Sequence, residues 1–414
     1  MAGGSSNQPA DPVGTVIGPV TIGPVAHGGH FVARYEGRVI FVRHGLPREQ
    51  VMINITDADH DRFWLGDAVE VIEAAPDRVT APCPVSGPGL CGGCDFQHVA
   101  LDLQRELKRQ VVAEQLDRLA GLSWSGVVEE VPHDDVVAGG GWRTRMQWHA
   151  AEPDDGPNRW GLRAHHSHTV IPVTDCHIAA DALPSVSGAS LRGGGRQATA
   201  VLAAAGETAL LIDGTVRHHT DGAGGELARD TVTHQAAGRS YEVAIDGFWQ
   251  VHPAAADVLV DAVLAGLDPQ RGERALDLYC GVGLFAGALA DHGVRVRGVE
   301  GDRRAVALAR RNVPTARFEV GRMDRAMRKL PNRADLVVLD PPRKGAGRTV
   351  LREVFARRPR AIAYVACDPA ALARDLRTAA EAGWALAQLR AFDLFPMTHH
   401  VECVAILVPQ RDRV

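Results

Sequence analysis

The chain has 414 residues, 45% of them apolar and 23% charged, with a formal net charge of −5. That length implies two or three domains, and no run approaches the roughly eighteen uninterrupted apolar residues of a membrane helix. The mild negative charge argues against a protein that coats nucleic acid through bulk charge. The opening MAGGSSNQPADP has neither the basic start nor the apolar core of a signal peptide, so a cytoplasmic protein is expected.

Residues 14 to 73 carry short β-rich runs (GTVIGPVTIGPVAHGGHFVARYEGRVIFVRHGLPREQVMINI, then DAVEVIEA) separated by Gly and Pro turns, with almost no helical periodicity. This predicts a small β-barrel over 13–74. His27, Arg34, Arg38, Arg43 and Arg48 are spread over it, a set that suits RNA phosphates and equally suits a plain solvated face.

The next segment, CPVSGPGLCGGCDFQH, gathers Cys83, Cys91 and Cys94 in a loop whose glycines and prolines let it fold around one centre. In a reducing compartment these are buried apolar residues, metal ligands or reactive thiols rather than disulfides. A fourth ligand is needed, and Cys176 in VTDCHI is the best candidate by elimination. Three thiolates in a loop with a distant fourth suit zinc or an iron–sulfur cluster. The spacing does not match the three-cysteine motif of radical enzymes, which favours a structural cluster.

LDLQRELKRQVVAEQLDRLAGL follows, with Leu103, Leu107, Val111, Leu116 and Leu119 near helical spacing and Gly121 closing the run. It predicts an amphipathic helix over 98–121 packed on a neighbouring domain. The region 75–247 otherwise alternates strand-like runs, WRTRMQWHA, HTVIPVTDCHI and TALLIDGTV, with Gly-rich breaks, and reads as a mixed β-rich central domain. Since it contributes Cys176, it must fold back onto the cysteine loop.

From Ala275 strands alternate with helices, which means a parallel sheet with crossovers, and the last domain is drawn over 248–414. DLYCGVGLF places Gly281 and Gly283 directly after a strand ending in Asp277, and the next strand ends in Glu300, whose carboxylate can hold ribose hydroxyls. The acidic strand end before the glycines, and DPPR closing a later strand, fit adenosylmethionine better than a dinucleotide. Finally, in YVACDPAALARDL a cysteine, Cys367, stands where a strand gives way to a helix.

In order and spacing, WRTRMQ, GLRAHHSHTVIPVTDC, FWQVHP, DLYCGVGLF, GVEGD, DPPRKG, ACDPAALARDL and HVECVAIL, with the barrel and the CGGC loop, make a chain that resembles the RNA uracil-5-methyltransferases over nearly its full length. The resemblance implies a Rossmann-like class I methyltransferase domain behind a TRAM-like barrel. It implies S-adenosylmethionine as cofactor and a 4Fe-4S cluster on Cys83, Cys91, Cys94 and Cys176. Cys367 would add to carbon 6 of uracil, with helix N-terminal amides lowering its pKa. Glu402 would take the carbon 5 proton, and Asp340 would face the pyrimidine edge.

By the same carry-over Gln250, Asp277, Tyr279, Gly281, Gly283, Glu300, Asp324 and Asp340 belong to the cofactor site. Phe248 would line the pocket, and Arg143, Arg145 and Arg163 would contact RNA. Asp368 departs from the family's usual Asn after the nucleophile, and the first gap in the cysteine loop is longer than in the best-known members. The resemblance favours 23S rRNA over tRNA and a monomer without a membrane partner. An RNA cytosine-5-methyltransferase and a noncatalytic iron–sulfur RNA-binding protein are the rival readings.

Overall fold

The structure, a computed structural model, describes residues 12–132, 139–151, 160–173, 175–184, 186 and 195–410. Strands β1 (Val16–Ala26), β2 (His30–Tyr35), β3 (Arg38–Arg43), β4 (Gln50–Asp57) and β5 (Phe63–Glu73) close into a barrel in the order β1-β2-β3-β5-β4. The period of two along a strand turns Val51, Ile53 and Ile55 of β4 inward, where they are fully buried. Closure comes from β3 and β5, which pair in parallel from Val39–Phe63 to Arg43–Asp67.

The barrel's basic set is not one surface. Arg43 is buried against Asp95 at 3.3 Å, Arg38 lies over the Trp64 ring, and the exposed His27 is hydrogen-bonded across the molecule, whereas Arg34 and Arg48 are exposed.

Helix α1 (Leu101–Ala120) ends at Gly121, whose φ of 65° is the left-handed cap that glycine adopts at little cost. Its stripe is shared. Leu107 and Val111 join the barrel core, whereas Val112 and Leu116 join the core under the large sheet. Between them the buried Lys108 ammonium lies 2.5 Å from the Asp393 carboxylate and 3.0 Å from the Phe395 carbonyl. Removing one member of such a buried pair costs on the order of 3–5 kcal/mol, so this contact fixes the helix to the loop it crosses. After the helix, β6 (Val128–Glu129) adds a short edge to the large sheet.

The central unit is an antiparallel sheet of β7 (Arg145–Ala150), β8 (Trp160–Arg163), β9 (Val170–Pro172), β10 (Gln197–Leu202), β11 (Thr208–Ile212) and β12 (Thr215–Thr220), in the order β12-β11-β10-β7-β8-β9. TALLIDGTV, read as one strand-like run, is instead a hairpin. Ile212 pairs with Thr215 around Asp213 and Gly214, both at positive φ, which is the two-residue turn that Asp-Gly favours. A second hairpin, β13 (Thr231–Ala236) with β14 (Arg239–Ala244), buries Val232, Tyr241 and Val243 in the core of the large sheet.

That sheet alternates with helices: α2 (Ala255–Leu267), β15 (Arg274–Leu278), α3 (Leu284–Asp291), β16 (Arg295–Glu300), α4 (Arg303–Asn312), β17 (Arg317–Val320), α5 (Met323–Ala326), β18 (Leu336–Leu339), α6 (Gly347–Ala356), β19 (Ala361–Ala366), α7 (Pro369–Glu381), β20 (Trp384–Phe392) and β21 (Glu402–Pro409). The strand order is β17-β16-β15-β18-β19-β21-β20-β6, parallel from β17 to β19 and antiparallel at β21. The winding reverses between β15 and β18, so ligands are expected beyond the carboxyl ends of those strands. This is the expected class I methyltransferase architecture behind a small barrel and a mixed β-rich centre. Among the described residues no helix is long and apolar enough to cross a membrane.

Candidate active site

The carboxyl edge of the large sheet collects the acidic strand ends. Asp277 on β15 is fully buried. Its Oδ2 accepts the Ala286 amide of α3 at 2.8 Å, and its Oδ1 has no partner among the described residues. Burial pushes its pKa up to about 7, with Asp340 and Glu300 adding repulsion. A buried carboxylate with a free oxygen is a place for a cationic ligand group.

The loop after β15 leaves room beside it. Tyr279 at φ 65° and Gly281 at φ 52° turn the chain sharply, and a Cβ at Gly281 would meet nothing within 4 Å. Gly283 at φ 94° is the N-cap of α3. Glu300, ending β16, accepts the Gly281 amide at 3.1 Å and the Asp302 amide at 2.9 Å, which fixes its carboxylate at the loop. Asp324 on α5 is exposed and paired with Arg322 at 3.3 Å; its charge reaches Tyr279, whose phenol is pushed up to about 12 chiefly by burial. Gln250 is half-buried, whereas Phe248 points into solvent with 73% of its surface exposed.

The nucleophile candidate follows from sheet register. Ala366 of β19 pairs with Cys403 of the antiparallel β21, so one further step along both strands brings Cys367 beside Glu402. Asp340 ends the neighbouring β18. Burial raises the Glu402 carboxyl well above its usual range, with Asp340 second, and raises Asp340 to about 7, with Glu300 second.

Cys367 itself is pushed up to about 12, first by burial and then by Glu402. This corrects the expectation that helix amides lower it. Cys367 precedes the N-cap of α7, and the cap amide of Ala371 is taken at 2.7 Å by the Asp368 carboxylate instead. Arg343 of DPPR is a nearby cation that favours ionisation of both Cys367 and Glu402. Sequence reasoning quoted that motif without giving the arginine a role.

Arg343, His399 and His400 form a wall with a cavity on each side. On one side a pocket of about 140 Å³ is lined by Cys367, Lys108 and His27. On the other a cavity of about 710 Å³ is lined by Cys83, Cys91, Cys94 and Cys176. The four cysteines predicted as ligands thus line one cavity, although Cys94 and Cys176 are 82 residues apart in sequence, with burial raising the thiols of Cys91, Cys94 and Cys176. Among the described residues no group of three or more His, Cys, Asp or Glu, these cysteines included, lies close enough together to hold a metal ion.

The arginines divide. Arg163 is exposed at this cavity, Arg143 lines it within electrostatic reach of Cys176, Cys94 and Cys91, and Arg145 turns inward to donate to the Ile245 carbonyl.

Comparison with known proteins decides the family. Residues 226–410 match the model of the tRNA (Uracil-5-)-methyltransferase family. A Streptomyces avermitilis protein named as an uncharacterized RNA methyltransferase is 46% identical, over 94% of this chain and 98% of its own. The chain belongs to the S-adenosylmethionine-dependent RNA uracil-5-methyltransferases. Within that family, the 23S rRNA (uracil(1939)-C(5))-methyltransferase RlmD of Shewanella amazonensis is 30% identical over 92% of this chain and 93% of its own. The fold is also that of the Pyrococcus abyssi tRNA (uracil-54, C5)-methyltransferase solved with S-adenosyl-L-homocysteine. That structure is 23% identical, covers 94% of this chain and 99% of its own, and has a TM-score of 0.69.

Proposed function

We propose that this methyltransferase acts on carbon 5 of a uridine in 23S rRNA, with Cys367 as covalent nucleophile and Glu402 as base. The observation that carries this reading is the β19–β21 register, which sets a cysteine beside a buried carboxylate at the carboxyl edge of the sheet. Bound S-adenosylmethionine supplies the methyl group. Cys367 adds through sulfur to carbon 6, which makes carbon 5 nucleophilic enough to take that methyl. Glu402 then removes the carbon 5 proton, and the electron pair expels the Cys367 sulfur as the ring double bond returns.

Burial disfavours the charged form of both groups in the free protein, so ionisation of each would accompany substrate filling the pocket; Arg343 is placed to offset the thiolate charge. A carboxylate in so apolar a setting is a stronger base than one in water, which suits removal of a carbon-bound proton. Asp340 offers an acceptor oxygen to N3 in either protonation state. Near pH 7 it is also half-protonated, so the family, not this carboxyl, decides for uracil over cytosine. On the cofactor side Asp277 would hold the α-amino group and Glu300 the ribose. Gln250, Tyr279, Gly281 and Gly283 would frame the methionine end and Asp324 the adenine. Arg143 and Arg163 would meet RNA where the strand runs past the cysteine loop, and the exposed Phe248 ring would be a further RNA contact.

We also propose a 4Fe-4S cluster on Cys83, Cys91, Cys94 and Cys176. The donor set fits: four cysteines face one cavity, and buried thiols ionise only where positive charge compensates them. These residues would fix the loop 83–94 to the central sheet.

For the RNA, the identity to the Shewanella enzyme supports 23S rRNA. The barrel does not separate rRNA from tRNA enzymes, since the Pyrococcus structure aligns over 94% of this chain. Methylation of 23S rRNA and tRNA transcripts by one enzyme preparation tests the choice. Methyl transfer to tRNA alone overturns it and leaves the chemistry standing.

A further inference from the structure

The barrel touches the catalytic loops at one turn, residues 27–29 between β1 and β2. His27 Nε2 lies 3.0 Å from Asp368 Oδ2, while the other oxygen of that carboxylate caps α7 through Ala371. Asp368 is half-buried, and its carboxyl is held below the usual carboxylate range: burial works against this, but the His27 and Ala371 hydrogen bonds prevail. Two residues on, Gly29 at φ 78° is wedged against the loop that leads into Glu402. A Cβ there would lie 2.9 Å from the His399 Cβ and 3.1 Å from that of Asp95. His399 is in turn bound to Asp95 through both its ring, at 2.6 Å, and its backbone amide, at 3.2 Å. One barrel turn therefore abuts the chain just after Cys367 and just before Glu402, and it lines the same pocket as Cys367.

We propose that His27 is a positioning residue for methyl transfer: by holding Asp368 it keeps the Cys367 turn in register with Glu402. The barrel then does more than grip RNA, because its docking completes the nucleophile's geometry. The Asp at position 368 suits this role, because a carboxylate accepts at both oxygens, from the Ala371 amide and from a His27 N–H, and its charge strengthens the second bond. The inference rests on Cys367 being the nucleophile.

The test is the rate at which full-length protein forms a covalent adduct with RNA containing 5-fluorouridine, measured at saturating RNA and S-adenosylmethionine. Fluorine at carbon 5 blocks the elimination, so the adduct reports sulfur addition and methyl transfer without turnover. His27→Ala is expected to slow adduct formation about tenfold, the order expected for a slightly misplaced nucleophile, while Kd values for RNA and S-adenosylhomocysteine stay within about threefold. His27→Gln keeps a donor and should stay within about twofold of wild type. Should His27→Ala lower Tm by more than a few degrees, Asp368→Ser carries the same expectation, since serine keeps the helix cap but is too short to reach His27. A His27→Ala rate within twofold of wild type, or a loss confined to RNA affinity, overturns the positioning role alone. A wild-type protein that forms no Cys367-dependent adduct overturns the nucleophile assignment and this inference with it.

Discussion

Four cysteines lie on one side of the wall of Arg343, His399 and His400 and a single one, Cys367, on the other, and burial acts on both sides in the same way. It raises the thiols of Cys91, Cys94 and Cys176 on one side and of Cys367 on the other. What differs is the company. The loop thiols have one another and the Arg143 guanidinium as neighbours, so their ionisation waits for positive charge that only a metal centre would bring in quantity. Cys367 has Glu402, Asp340 and Asp368 around it, with Arg343 favouring its charged form, so its ionisation is coupled to what enters the pocket. Desolvation by itself does not tell a ligand from a nucleophile; the neighbouring charges do.

The sharpest way to break that distinction is to remove one cysteine from each side. Cys367→Ala should lower adduct formation with 5-fluorouridine RNA by about a thousandfold or more, since no other group can take over covalent addition. Cofactor affinity should stay within about threefold, because the Asp277 and Glu300 loops are separate. An adduct of wild-type yield from the alanine variant would remove Cys367 from the mechanism.

Cys176→Ser should do the reverse. Protein purified anaerobically should be brown with about four irons per chain, and the serine variant should lose iron and colour together. Stoichiometric zinc in the wild-type protein would sink the cluster.

The acidic edge gives a prediction with a definite sign. Asp277 is raised to about 7 in the free protein, so it is largely protonated at pH 6. A bound α-ammonium favours its ionised form, so S-adenosylhomocysteine affinity should rise about tenfold between pH 6 and 8, and Asp277→Asn should flatten the profile. The same elevation works against the unliganded fold. Stability contributed by Asp277 and Asp340 is complete below pH about 4, their unfolded value, and is lost as pH rises through 7, so Tm of the free protein should fall across that window. Calorimetry in buffers of different ionisation heat checks the proton release. A pH-independent affinity would place the ammonium elsewhere.

The smallest effects belong to the barrel surface. Arg34→Ala or Arg48→Ala should weaken RNA binding only a few-fold and reduce the salt dependence by about one counterion each, without changing the adduct rate at saturation. Deleting residues 1–74 is a poorer probe of RNA binding than these point variants. It would bare Phe96, Leu107 and Val111 of the shared core and remove His27 from Asp368.

The sequence alone determined the elements whose signals are local. The amphipathic period of α1 and its Gly121 stop, the strand-to-helix turn at Cys367 and the glycines after Asp277 each depend on a few neighbouring residues, so composition and spacing suffice to find them. Only tertiary structure decided what those residues experience. Arg145 looked like a phosphate contact until its guanidinium turned to the Ile245 carbonyl, Phe248 looked like a pocket wall and is exposed, and the TALLIDGTV run folded back on itself. The helix start at Asp368 predicts a lowered thiol pKa, yet burial first and the Glu402 carboxylate second raise it, because desolvation is set by everything packed around a group and not by its own segment. His27 and Asp368 lie 341 positions apart, and nothing local in either segment announces that a barrel turn will close on the nucleophile's helix.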